Sequence, residues 1–167
     1  MREQFSLVHP LRVRWSEVDR QGIVFNGHYL TYFDIAVTEY WRAVGLRYPE
    51  DIVGKGSDLY VVRAVVEYQR SAEYDDMIDV CARCQRIGRS SMRFALAIMR
   101  GDDLLVSGEL VYVNADPASR KPVPVPEWIR ELMRRFERVA PEEEGRPDPA
   151  PVPGPASPGG EAPRPAI

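Results

Sequence analysis

The chain has 167 residues, 44 % of them hydrophobic, and a formal net charge of −3. That length supports one domain with a real core, and no apolar run approaches the roughly 20 residues that span a bilayer. Five acidic residues and two arginines beyond Ala140 carry the whole −3. The body is therefore neutral, which argues against nucleic acid as the main partner.

The N-terminal stretch MREQFSLVHPLRVRW holds no continuous apolar segment of the signal-peptide kind. A cytoplasmic protein is the expectation. Leu11, Val13 and Trp15 alternate with Arg12 and Arg14, so residues 5–15 read as a strand. A loop over 16–25 carries Asp19, and Gly22 lets it turn at low steric cost. A helix is expected over 27–44, with an apolar face of Tyr29, Phe33, Ala36, Tyr40 and Val44, widened by Leu30, Val37 and Trp41. Asn26 suits its N-cap, and Gly45 sits where a helix stops.

A connection through Gly45, Pro49, Gly54 and Gly56 leads to four strand-like runs, at 59–69, 77–87, 91–100 and 104–113. Residues 74–76, 88–89 and 101–103 read as hairpin turns, so an antiparallel sheet follows. After a loop over 117–126, a short amphipathic helix is expected over 127–139, with Trp128, Ile129, Leu132, Met133 and Phe136 inward. From Pro141 onward nine of the fifteen prolines crowd together, with almost no large apolar residue. That composition cannot offset its ordering entropy. The expected organisation is a domain over 1–140 and a disordered, acidic, Pro-rich tail over 141–167. The economical packing is a five-stranded antiparallel sheet wrapped around the long helix, an α+β domain. The remaining sheet face and edge then call for association with further copies.

The chemistry concentrates at the start of the helix. Its first N–H groups lack intrahelical partners and carry a partial positive charge. Asp19 lies seven residues upstream of Asn26. A carboxylate beside a site able to hold an oxyanion is what acyl transfer needs. Each residue also has a plainer reading. Glu17 reads as a solvated loop charge and His28 as a helix-start residue packed locally. Gly27 either donates a second N–H or permits close approach. Tyr29, Tyr32 and Phe33 read first as core residues. Asp34 and Glu39 read as exposed helical charges, with a grip on a polar acyl group left open. Cys81 and Cys84 form a lone C-x-x-C on opposite faces of a strand. They read as reduced, partly buried thiols rather than a metal or redox site. No G-x-S-x-G elbow and no Gly-rich phosphate loop is present.

The run from Arg14 to Asp34, RWSEVDRQGIVFNGHYLTYFD, strongly resembles the start of the 4-hydroxybenzoyl-CoA thioesterase family and its YbgC-like relatives. Residues 73–76, 88–91 and 120–122 fall where that family has similar segments, so the resemblance covers about 8–137. It implies the hotdog fold and an acyl-CoA thioesterase that needs no metal or other cofactor. The family's pattern makes Asp19 the nucleophile or the base for water. It makes the Asn26 N–H the oxyanion donor; Gly22, Gly27, His28 and Tyr29, close by in sequence, are the further substrate-binding candidates. It also implies Arg89 against the CoA phosphates, with Arg86, Arg120 and Lys121 as weaker candidates. The site would lie between two subunits of a homodimer or homotetramer. Asn26 departs from relatives that carry His there, which leaves the backbone donor in place. Two other readings stay open: a hotdog dehydratase or hydratase with His28 as base, and a non-catalytic module that binds acyl thioesters.

Overall fold

The computed structural model describes residues 2–144. After a 3-10 turn at Arg2–Gln4 come β1 (Leu7–Arg12) and a second 3-10 turn at Trp15–Glu17. The long helix α1 (Asn26–Ala43) and the short α2 (Glu50–Val53) follow, then β2 (Asp58–Tyr68), β3 (Met77–Ile87), β4 (Ser91–Arg100) and β5 (Asp103–Ala115). The helix α3 (Glu127–Phe136) and a two-residue strand β6 (Glu142–Glu143) complete the described chain. The sheet order is β1-β3-β4-β5-β2, antiparallel throughout, with β6 joining β3 in parallel. This is the hotdog arrangement expected from the sequence.

α1 forms the core because one side of it is apolar over five turns. Tyr29, Tyr32, Phe33, Ala36, Val37, Tyr40 and Trp41 are all buried. They meet Ile78, Val80, Ala82, Met92, Phe94, Leu96 and Ile98 from the sheet. Edge-to-face rings tie the layers together: Tyr40 lies 5.1 Å from both Phe94 and Phe136. Gly108 lets the helix come this close. A Cβ there would sit 2.8 Å from Phe33 Cζ and collide with the Val65 carbonyl. Gly45, at φ +90, ends the helical run as its position predicts.

Several local expectations need correction. Trp15 does not continue the β1 alternation. The strand ends at Arg12, and Trp15 opens a 3-10 turn with 74 % of its surface exposed. Asn26 is the first helical residue, not the cap. Phe25 holds the cap position and no side chain caps the helix. Leu30 is exposed rather than inward. The turn at 74–76 does not join a β2–β3 hairpin. β2 crosses to the far edge and pairs with β5, so that turn only carries the chain back across the sheet. At the start of β5 the register shifts between Ile98 and Met99, which pair with Val106 and Leu104. The extra residue, Leu105, turns inward with Val106, and Leu104 joins Phe5 on the outer face.

Cys81 and Cys84 are free, buried and on opposite sides of the sheet. Burial, with Asp79 nearby, pushes the Cys81 thiol up to about 11, so it is protonated and unreactive at neutral pH. The sheet keeps the chain beyond the boundary expected at residue 140. β6 is held by the arginines of α3, which ion-pair with Glu143. The rest of the expected Pro-rich tail, from 145, lies outside the described residues.

Candidate active site

The loop that presents Asp19 is tied down on every side but one. Val18 pairs with Val24, and Ile23 with Glu73. The Asp19 N–H donates to the Ile23 carbonyl at 2.9 Å, and the Gly22 N–H donates to the Asp19 carbonyl at 3.0 Å. This tight turn needs the left-handed φ of +77 at Gly22. The Val24 N–H donates to the Ala72 carbonyl, and the Phe25 N–H to the Glu17 carbonyl, both at 2.9 Å.

Glu17 is buried and structural, not the solvated charge its position implies. It is 8 % exposed and accepts the Tyr32 hydroxyl at 2.8 Å and the Arg14 N–H at 2.7 Å. Burial and this carboxylate push the Tyr32 phenol well above its ordinary range. The loop is thereby bolted to the middle of α1. Tyr29 also serves the scaffold: its hydroxyl accepts the Ala72 N–H at 2.9 Å.

Asp19, two residues from Glu17, is different. It is half-buried, and its Oδ1 accepts the Gln21 N–H at 2.7 Å. No donor among the described residues meets its Oδ2. It lines a cleft of about 620 Å³ with Trp15, Val18, Arg20, Gly22 and Tyr74. The Trp15 and Tyr74 rings meet edge to face at 5.2 Å and wall one side. Sequence reasoning missed both as cleft residues. The available signal was large aromatic rings placed next to turn-forming and charged residues.

The start of α1 is open. It has neither a capping side chain nor an acidic residue in its first turn. The His28 N–H turns back to the Phe25 carbonyl at 2.9 Å, and its ring lies against Phe25. Among the described residues, the N–H groups of Asn26 and Gly27 take no partner. The Tyr68 hydroxyl donates to the Asn26 carbonyl at 3.1 Å, fixing this turn to the edge strand β2. Gly27 lines a second cleft, of about 360 Å³, with Leu30, Thr31, Asp34, Val61, Ala64 and Leu110. Asp34 also lines an adjoining groove with Val37, Trp41, Leu59 and Tyr112. Within one chain, the Asp19 cleft and the helix-start cleft share no lining residue.

Arg89 is exposed at the β3–β4 hairpin, and the described residues give its guanidinium no partner. Arg86 is ion-paired with Glu144. Arg120 and Lys121 are exposed in the loop after β5. Among the described residues no group of three or more His, Cys, Asp or Glu is placed to hold a metal. No helix there is long and apolar enough to cross a membrane.

The thioesterase superfamily model matches residues 21–107, beginning two residues past Asp19. The acyl-CoA thioester hydrolase YbgC of Escherichia coli O157:H7 is 27 % identical over 122 residues, covering 72 % of this chain and 90 % of that one. A thioesterase of Thermus thermophilus, solved with coenzyme A and zinc, superposes with a TM-score of 0.70 at 28 % identity. That match covers 87 % of this chain and 98 % of the other. A protein of Aquifex aeolicus shares the fold at a TM-score of 0.71 and 24 % identity, over 76 % and 98 % of the two chains. With more than half of its length matched, this chain belongs to the thioesterase superfamily and is a thioester hydrolase of hotdog fold.

Proposed function

We propose that this protein hydrolyses an acyl-CoA thioester to the free acid and CoA, with Asp19 as the reacting carboxylate. The observation that carries this reading is that Asp19, on an anchored loop, lines a cleft and has an Oδ2 that no donor among the described residues meets. The thioester carbonyl would lie at the uncapped start of α1. There the Asn26 N–H, with Gly27 beside it, meets the developing oxyanion at the positive helix end. Asp19 then either attacks the carbonyl carbon, expelling the thiolate to leave an anhydride, or takes a proton from an attacking water. In the first route water then cleaves the anhydride and restores Asp19, so both routes end in the free acid and CoA.

The two halves of this site open on separate clefts of one chain. The reading therefore includes a homodimer, in which Asp19 of one protomer faces the helix start of its partner. The long edge strand β2 supports this. It leaves Val61, Val62 and Tyr68 exposed, and an uncovered edge of that kind invites pairing with another copy. The acyl group would run along the apolar clefts between α1 and β2. Asp34 is the carboxylate there that could meet a hydroxyl on the acyl chain.

The test is free-thiol release from a panel of aliphatic, aromatic and hydroxylated acyl-CoAs. Asp19→Ala, Asp19→Asn and His28→Ala are assayed beside the wild type, with sedimentation to give the assembly state. Hydrolysis by the wild type that vanishes in both Asp19 variants is expected. Equal rates in wild type and both Asp19 variants would exclude the mechanism. Loss confined to His28→Ala would hand the chemistry to the imidazole. Binding of the esters without any thiol release would leave a carrier module.

A further inference from the structure

The β3–β4 hairpin that carries Arg89 is held from inside the protein by a second arginine. Arg130, on α3, is only 9 % exposed. Its Nη2 donates to the carbonyls of Gly88 and, at 3.3 Å, Arg89. Its Nε donates to the Val125 carbonyl at 3.2 Å. The Arg89 carbonyl also accepts the Val125 N–H at 2.8 Å. Thus one planar fork fixes both backbone carbonyls at the tip of the hairpin.

The buried charge is answered by the segment after α3. Glu143 Oε2 lies 3.5 Å from Arg130 Nη1 and accepts Arg134 Nη2 at 2.8 Å. The Glu144 N–H donates to the Ile87 carbonyl at 3.1 Å, on the approach to the hairpin. Gly88 is packed so closely that a Cβ would lie 2.7 Å from Ser91 Oγ.

A buried ion pair is a costly way to gain stability, because apolar residues of similar volume often stabilise as well or better. What a guanidinium fork adds is fixed geometry. We infer that Arg130, anchored by Glu143, is a positioning residue for CoA: by clamping the Gly88 and Arg89 carbonyls it sets where the Arg89 guanidinium meets a CoA phosphate. This rests on the reading of Arg89 as a phosphate contact. Arg130 itself touches no substrate, and its effect passes through the hairpin.

The experiment uses the full chain and two substrates. One is the acyl-CoA hydrolysed fastest in the panel; the other is the N-acetylcysteamine thioester of the same acid, which lacks phosphates. The readout is the ratio of the two KM values, with kcat recorded beside it. Arg89→Ala should raise the ratio about 10-fold, as loss of a charge-assisted hydrogen bond does. Arg130→Met should raise it several-fold in the same direction. Arg89→Ala with Arg130→Met should be no worse than Arg89→Ala alone, because residues acting through one contact are not additive. Glu143→Gln keeps the side-chain shape and should give a smaller rise, which keeps the test decisive if Arg130→Met folds poorly.

A raised ratio in Arg89→Ala with no rise in Arg130→Met and Glu143→Gln would overturn the inference and leave Arg130 a stability residue. So would full additivity in the double variant, or equal losses on both substrates. An unaltered ratio in Arg89→Ala would overturn the phosphate contact and, with it, the role of Arg130. Absence of thiol release from both substrates by the wild type would instead sink the proposed function.

Discussion

Two segments at opposite ends of the described chain each hold a pair of buried or half-buried carboxylates, and they use them differently. In the loop 14–25, Glu17 is buried under donors, while one oxygen of Asp19 meets no donor among the described residues. In the segment 137–144 that pair is Glu137 and Glu143, and both are spoken for; Glu142 and Glu144 are exposed. Glu137 accepts the Tyr40 hydroxyl at 2.7 Å, the Ser6 hydroxyl at 2.6 Å and the Cys84 N–H. Glu143 is held by Arg130 and Arg134. Their surroundings push the two acids in opposite directions. Burial raises Glu137 above the ordinary glutamate range, against the opposing pull of its hydrogen-bond donors. The Arg134 guanidinium holds Glu143 below it. Glu17, Glu137 and Glu143 fasten chain segments together, whereas Asp19 keeps an oxygen that no donor among the described residues meets.

The sharpest way to break this contrast is to exchange the roles of Glu17 and Asp19. Asp19→Asn is expected to lower kcat by about 10²–10⁴-fold, the usual contribution of a positioned proton-transfer group. Its melting temperature should match the wild type. Glu17→Ala should do the reverse in stability, costing about 1–3 kcal/mol by leaving the buried Tyr32 hydroxyl without its acceptor. Urea titration measures it, and an unchanged midpoint would return Glu17 to the surface. Gly108→Ala tests the scaffold that both segments share. The collision with Phe33 should cost about 1–3 kcal/mol as overpacking does, and it should lower activity only as far as it lowers the folded fraction.

The smallest and most discriminating effect is in pH. The folded protein holds a proton on Glu137 more tightly than the unfolded chain does. Stability from this group is therefore full below the ordinary value of 4.5 and falls as pH rises through the raised folded value. Glu143 behaves oppositely. Its contribution is present above the same ordinary value and is lost as pH falls through the lowered folded one. Stability curves of Glu137→Gln and Glu143→Gln between pH 3 and 7, pH values chosen around the ordinary carboxylate range, should lose slopes of opposite sign. Curves that change alike would erase the distinction between the two acids.

Much of this architecture was readable from residue spacing. The period of two marked β3 and β4 from end to end, and the period near 3.6 marked α1 to within a residue. What local pattern does not carry is pairing at a distance. β2 reads as the neighbour of β3, yet it lies at the other edge, because which strands pair is set by the wrapping of the sheet on α1. Glu17 is buried by Tyr32, fifteen residues on, and Glu143 by arginines on α3. The residues flanking each acid in sequence give no sign of either. Asp19 was legible for the converse reason. Its surroundings (a glycine turn and a helix start) are local, and its motif resembles that of a known family.

Phe25 at the head of α1 leaves a weakness in the helix that evolution could have mended with a single serine or aspartate. Phe25→Ser would add a side-chain acceptor and gain the helix about 1 kcal/mol. The same oxygen would settle beside the amides that the proposed hydrolysis requires, a squatter in the seat kept for substrate. A selection for heat resistance alone would therefore favour this change and return a sturdier, duller enzyme.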